Sequence, residues 1–403
     1  MAPCDSPVRL TVRTGLHDKR SPPHSPTSAS ALTPPVTPIG KGVPHTEPLT
    51  PSPTTEDPSR STQSSAQTTR DVGVPIIFPD EIDICHDESR RPFEFGRGAW
   101  SIVYRARSVP KQSTGSLHTP PSSPASTGRI LAVKAPLRRD AHKVLQSEAL
   151  TMTRLSLTPG CENYMVPFHG FLPEYDALVM SAIPLALSTF IEDKADARKH
   201  NPSTATMFEP VQGPESWRDM ARKLITCLAW LHDTAGLVHG DIKPHNVLLR
   251  PTATHTPDAF PFEPLLADFS SAYEIPSDSS STSNVNQAAL SAFTPPFTAP
   301  ELLSLASLRS GEIAPLPSSD VFSLAATLIA AATGDLLLYP GSNNFQRLAM
   351  AKDGHRILDF TRAGSNGCRI PRYGFVEKLI QPAVVKDPTQ RILTGDWVAL
   401  ASC

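Results

Sequence analysis

Asp241, Lys243 and Asn246 stand third, fifth and eighth in a single polar stretch, His239-Gly240-Asp241-Ile242-Lys243-Pro244-His245-Asn246. Apolar residues flank it, Leu237-Val238 before and Val247-Leu248-Leu249 after, so the stretch reads as a loop between two short buried strands. A carboxylate, an ammonium and an amide presented together suit the movement of a phosphoryl group. Asp241 would receive a hydroxyl proton, Lys243 would meet the transferring phosphate, and Asn246 would ligate a metal. Upstream, Ala132-Val133-Lys134 puts a lysine at the end of a strand, and Glu148 follows fourteen positions later. A lysine facing a buried cleft needs a counter-charge, because an unpaired desolvated ion costs several kcal/mol. Taken alone, the two charges could be solvated surface groups; beside the loop at 239–246 the paired reading prevails. The segment Gly96-Arg97-Gly98-Ala99-Trp100-Ser101-Ile102-Val103 lies between two strand-like runs. Its glycines would let backbone N–H groups approach phosphates with no Cβ in the way, although an ordinary turn has the same composition.

The elements that must position these residues change character along the chain. Residues 93–106 and 130–134 are β-rich and are separated by a Ser/Pro/Gly-rich insert, 108–128, that reads as a loose hairpin loop. Residues 141–155 have helical spacing, with Val144, Leu145, Ala149, Met152 and Leu155 as the expected buried face. Two more strands are expected in 164–183. Helices follow, most clearly at 217–232, 321–332 and 374–385. A strand-rich part followed by a helix-rich part predicts an α+β chain of two lobes with a cleft between them, the first about 90–182 and the second about 183–403.

Composition narrows the function classes. The 403 residues include 43 prolines, roughly twice the ordinary usage. Residues 1–72 are rich in Ser, Thr and Pro, and the first aromatic is Phe78. Such a segment cannot bury enough apolar surface to offset its ordering entropy, so a disordered tail is expected ahead of one domain at 73–403. The tail carries Ser6-Pro7, Ser21-Pro22, Ser25-Pro26, Thr33-Pro34, Thr37-Pro38, Thr50-Pro51 and Ser52-Pro53. These are either acceptor sites for proline-directed kinases or the chance product of a biased composition. A net charge of −2 gives no electrostatic footprint for nucleic acid. The run 321–333 is too short to span a bilayer, so no membrane partner is expected. Six scattered cysteines with no C-x-x-C pair, and no apolar leader, suggest an intracellular location, cytoplasmic or nuclear.

The order of the motifs resembles the eukaryotic protein kinase superfamily. The glycine segment 96–103, Lys134, Glu148, the HGD loop, Asp268-Phe269-Ser270, Thr294-Pro295-Pro296-Phe297-Thr298-Ala299-Pro300-Glu301, Asp320 and Asp387-Pro388-Thr389-Gln390-Arg391 follow the kinase sequence of landmarks. The resemblance is to a Ser/Thr-type, non-arginine (non-RD) kinase of fungal type, and it implies a bilobal protein-kinase-like fold with a small β-rich lobe and a larger helical one. It also implies ATP and Mg²⁺, with Asp241 and Lys243 catalytic and Asn246 and Asp268 on the metal. Gly96, Gly98, Ser101, Val103, Ala132, Lys134, Glu148, Met180, Ala182 and Leu248 would bind the nucleotide. Met180 is expected as the gatekeeper, with the backbone of Ser181 and Ala182 facing adenine. Asp320 would buttress the loop, and Arg391 would pair with Glu301.

Three departures shape the expected function. Gly240 replaces the usual arginine, Ser101 the third glycine of the first motif, and Ser270 the glycine after Asp268-Phe269. The HGD spelling also occurs in small-molecule phosphotransferases of the aminoglycoside and choline kinase type, and a pseudokinase scaffold is the other alternative. The segment ending at Glu301 and the one ending at Arg391 point instead to a protein substrate, and Lys243-Pro244 to a Ser/Thr acceptor. His245 offers no carboxylate to select arginine in that substrate.

Overall fold

Alternating β-branched runs ahead of residue 182 pair into one antiparallel sheet in the computed structural model, which describes residues 73–110, 128–252, 258–275, 294–304 and 315–403. Its strands are β1 (Glu81–Ile84), β2 (Glu94–Arg97), β3 (Ser101–Val109), β4 (Ile130–Pro136), β5 (Phe168–Leu172) and β6 (Ala177–Ser181). They lie in the order β1-β3-β4-β6-β5, with β2 on the remaining length of β3. Val103 sits opposite Lys134, Ala132 opposite Met180, and Lys134 opposite Leu178. Residues directly opposite share a face, as do residues two apart, so Val103, Ala132, Lys134 and Met180 all face one way. The first strand begins well before residue 93, where strand character was expected to start. β3 also runs on through Ser108 to Val109, so the insert opens after the strand and not at 108. The rest of that insert, the tail at 1–72 and the stretch 276–293 lie outside the described residues.

Helix α1 (Ala141–Ser156) packs its Leu145, Ala149, Met152 and Leu155 into the core. Val144 is only half-buried, and Glu148 and Thr153 take buried places instead. The helix thus buries two directions: an apolar stripe toward the sheet, and a carboxylate toward the cleft.

The second lobe comprises α2 (Cys161–Tyr164), α3 (Leu187–His200) and α4 (Pro214–Ala229), the last prolonged by a π-helical turn at Trp230–Thr234. Then come β7 (Leu237–Val238), the hairpin of β8 (Val247–Pro251) with β9 (Phe262–Leu266), and β10 (Tyr273–Glu274), which pairs with β7. The remaining helices are α5 (Pro317–Thr333), α6 (Asn344–Lys352), α7 (Ile357–Arg362), α8 (Phe375–Ile380) and α9 (Thr394–Ala401). Every residue of α5 from Ser319 to Thr333 is buried. Three of its buried hydroxyls are satisfied within the helix, Ser323 donating to Ser319 O (3.0 Å), Thr327 to Ser323 O (2.9 Å) and Thr333 to Ile329 O (3.0 Å), while Ser319 donates to Glu301 Oε1 at 3.0 Å. Those bonds let a helix containing polar residues sit in an apolar core without unpaired groups. Among the described residues, no helix is long and apolar enough to cross a membrane.

Candidate active site

Lys134 extends from β4 under the sheet and meets two carboxylates. Its Nζ donates to Glu148 Oε1 and Oε2 at 2.8 and 2.7 Å and to Asp268 Oδ1 at 2.8 Å. Burial works against the lysine's charge, but Asp268 and Glu148 outweigh it and hold its pKa above the ordinary lysine value. Burial dominates at Glu148 and pushes its carboxyl up despite Lys134. Asp268 goes the other way: burial opposes its charge, yet Lys134 and the Ser270 hydroxyl, donating at 2.7 Å, pull it well below the usual carboxylate range. Its side chain keeps 39% of its surface open, so water screens part of that attraction. Asp268 has a left-handed backbone, φ +61°, a conformation that costs a non-glycine residue on the order of 1–2 kcal/mol and is tolerated best by Asp and Asn. Phe269 N–H donates to Glu148 Oε1 at 3.2 Å, so the helix carboxylate holds both the lysine and the backbone beside Asp268.

The polar loop hangs between β7 and β8 as its flanking residues dictate. Its backbone is fixed from below by Asp320 at the start of α5. Asp320 Oδ2 accepts His239 N–H at 2.6 Å, and Oδ1 accepts Gly240 N–H at 2.9 Å. His232, in the π-helical turn, reaches the same Oδ2 at 3.0 Å. The His239 ring bridges outward: Nε2 lies 3.1 Å from Ala267 O, and Asp241 N–H donates to Nδ1 at 3.3 Å. Gly240 has φ +78°, and a Cβ there would lie well under 3.0 Å from the Ser271 carbonyl oxygen. The glycine is therefore demanded by a backbone-to-backbone contact between the loop and the strand-end carrying Asp268.

Asp241 is the focus of the loop. Lys243 Nζ donates to its Oδ2 at 2.6 Å and to Thr294 Oγ1 at 3.1 Å. Asn246 Nδ2 donates to Asp241 O at 2.9 Å and Oδ2 at 3.1 Å. Burial raises the Asp241 pKa, and the adjacent Lys243 ammonium pulls it back part of the way. Both neighbours converge on Oδ2, and Oδ1 has no protein partner among the described residues.

A protein kinase domain model matches residues 125–397, well over half of the chain. The chain belongs to the protein kinase domain family. Serine/threonine-protein kinase PknK of Mycobacterium tuberculosis is 37% identical over 125 residues, which is 30% of this chain and 9% of that protein. The protein of the same name from Mycobacterium bovis is 36% identical over 125 residues, again 9% of its length. The kinase match begins downstream of the glycine segment that holds Gly96, Gly98 and Ser101. Gly96 lies in β2, Gly98 in the β2–β3 turn and Ser101 at the start of β3, the turn closed by Gly98 N–H on Ser101 O at 2.8 Å. A Cβ at Gly96 would meet nothing within 4 Å, and one at Gly98 only an ordinary contact at 3.7 Å. The fold itself would accept side chains there.

Two further contacts tie the expected site residues to their surroundings. Leu248 bridges to Ala186, and Leu249 N–H donates to Leu185 O at 2.8 Å, so the floor of the cleft is tied to the linker that carries Ala182. Arg391 donates to Glu301 Oε1 and Oε2, both at 2.8 Å, and also to Ser318 O at 2.8 Å and Val385 O at 3.1 Å. Among the described residues no three His, Cys, Asp or Glu side chains form a metal cage. The donor set still suits Mg²⁺, which is usually held by one or two protein groups together with nucleotide phosphates. Sequence reasoning missed His232 and His239 as anchors of the loop, and it missed the Ser270 hydroxyl. His232 gave no signal, since its partner lies 88 residues away; Ser270 was legible only as a lost glycine.

Proposed function

We propose that this chain is a protein serine/threonine kinase with a non-arginine catalytic loop, moving the γ-phosphoryl group of ATP to a hydroxyl of a polypeptide. The observation that carries the reading is the pairing of two polar clusters, Lys134–Glu148–Asp268 and Asp241–Lys243–Asn246–Thr294, within electrostatic reach of each other through Asp268, Asp241 and Lys243. Lys134 would hold the α- and β-phosphates, with Glu148 keeping its ammonium in place. Asn246 and Asp268 would hold Mg²⁺, which supplies charge neutralisation at the β- and γ-phosphates when bound. The acceptor oxygen forms its bond to the γ-phosphorus as the bond to the ADP oxygen breaks, and the hydroxyl proton passes to Asp241 Oδ1. Burial makes that carboxylate more basic, and Lys243 opposes part of the shift.

Lys243 bridging Asp241 to Thr294 supports a Ser/Thr acceptor held at the edge of the loop. The bidentate Arg391–Glu301 pair, which anchors the segment just after Thr294, supports a polypeptide over a small molecule. Val103, Ala132, Met180, Ala182 and Leu248 would enclose the adenine. The fungal type expected from the sequence is proposed on that resemblance; the named relatives are mycobacterial. The test is labelled Mg-ATP with wild type and Asp241→Asn over an arrayed peptide library. Wild type is expected to label Ser and Thr peptides, and the variant to lose on the order of 10²–10⁴ in rate. Near-normal turnover in the variant would remove Asp241 as base, and no labelling by wild type would leave a binding scaffold as the function.

A further inference from the structure

The segment at residues 74–78, just ahead of β1, makes a set of contacts that the catalytic clusters do not explain. Ile76 O accepts Phe171 N–H at 2.7 Å, and Phe78 N–H donates to Phe171 O at 3.0 Å. These two bonds lay the segment along β5, the edge strand of the sheet. The Phe78 ring is buried against Leu131 and Val179. Gly170 has φ +142°, and a Cβ there would lie 2.5 Å from Phe78 N and 2.8 Å from Ile77 C. Gly170 is thus the residue that lets the segment come this close.

The same segment reaches past the sheet to the helix that carries Glu148. Ile76 N–H donates to Thr153 Oγ1 at 3.0 Å, while that hydroxyl donates to Ala149 O at 2.7 Å. Thr153 is buried and lies five residues beyond Glu148, about 7.5 Å along the helix axis. The next residue, Arg154, is held from the other lobe, donating to Ala235 O at 3.2 Å and pairing with Glu274. The C-terminal part of α1 is therefore fastened on both sides, by the segment 74–78 through Thr153 and by the helical lobe through Arg154.

We infer that Thr153 and the strap 74–78 are positioning elements for phosphoryl transfer: they set the rotation of α1, and through it the placement of Glu148 against Lys134. A hydroxyl that accepts from the strap and donates to its own helix ties the two backbones at a fixed distance. Valine at 153 keeps the volume and the β-branch but makes neither bond. The inference rests on the kinase reading for its rate, and on exchange measurements for its structural part.

The experiment uses the full chain with Thr153→Val, Thr153→Ser and Gly170→Ala. Turnover and the KM for ATP are measured against a peptide substrate, and amide hydrogen exchange is followed by mass spectrometry in 74–78 and 141–156. Thr153→Val is expected to lower kcat on the order of fivefold, the usual weight of one hydrogen bond in an equilibrium. It should also speed exchange in both segments, and serine should restore both. Gly170→Ala should reproduce the loss by displacing the strap. The inference is overturned if exchange in 141–156 is unchanged in Thr153→Val, or if it quickens with kcat within twofold of wild type. Equal losses in the serine and valine variants would overturn it too. Should wild type transfer no phosphate, the kinase reading fails on its own, and exchange in 141–156 still decides whether the strap sets the helix.

Discussion

Replacing Gly240 by alanine tests whether the missing arginine is a matter of charge or of space. At φ +78° any Cβ incurs the left-handed penalty, about 1–2 kcal/mol. The methyl would also press on the Ser271 carbonyl oxygen, a backbone atom that no rotamer change can move aside. The loop must then shift, and the nearest bond to break is Gly240 N–H to Asp320 Oδ1, at 2.9 Å. A hydrogen bond to a charged group is worth about 1.5–3 kcal/mol. The two contributions together predict a loss of roughly 3–5 kcal/mol, measurable as a lower urea midpoint at unchanged slope. Because Asp241 is the next residue, a displacement near 1 Å would reduce turnover by about 10². Gly240→Arg should be at least as damaging and should not raise activity. Gly395→Ala, where a Cβ meets nothing within 4 Å, is the control and should be neutral or slightly stabilising. A Gly240→Ala protein within about 1 kcal/mol of wild type and with normal turnover would refute the steric account.

Other expectations follow from the site's charges. Arg391→Met should cost about 3 kcal/mol in chemical denaturation, because it removes the guanidinium that pairs bidentately with Glu301 and the donor to the Ser318 and Val385 carbonyls; a loss under 1 kcal/mol would make the pair incidental. Lys243→Met removes the cation that holds the Asp241 pKa down against burial, so the acid limb of kcat/KM should move to higher pH. A limb that stays put or moves to lower pH would separate Asp241 from that titration. Replacing Ser277, Ser279, Ser280 and Thr282 together by alanine should leave turnover within a few-fold, since Gly240 provides no guanidinium to read a phosphate there; a hundredfold fall would contradict this.

Much of the site was legible in the sequence because its landmarks are short and locally framed. Leu237-Val238 and Val247-Leu248-Leu249 announce the strands that hold the loop, and Lys134, Glu148, Asp320 and Glu301–Arg391 meet as their order predicted. What escaped was set by tertiary approach. Gly240 read as a lost charge, and only its contact with Ser271 shows a demand for a left-handed backbone. The strap at 74–78 is too short for a periodic signal, and β1 precedes the first long alternating run, so both lay hidden ahead of Phe93. Val144 fits the helical stripe of α1 by spacing, yet Glu148 and Thr153 compete for the buried side and displace it.

The burial of α5 from Ser319 to Thr333 has a consequence for how the protein comes off the ribosome. Asp320, which clasps the catalytic loop, begins that helix, and the core around it is closed by α9, whose Trp397 is fully buried with its N–H on Leu379 O at 3.0 Å. Pro214–Ala229, against which α9 lies, also places Trp217 N–H on Leu328 O of the buried helix at 3.1 Å. A nascent chain that has emitted every catalytic side chain, but not yet residue 397, still exposes this seam to chaperones. A chain truncated ahead of Trp397, 156 residues downstream of Asp241, is therefore expected to leave the clasp on the polar loop seated on an unfinished core.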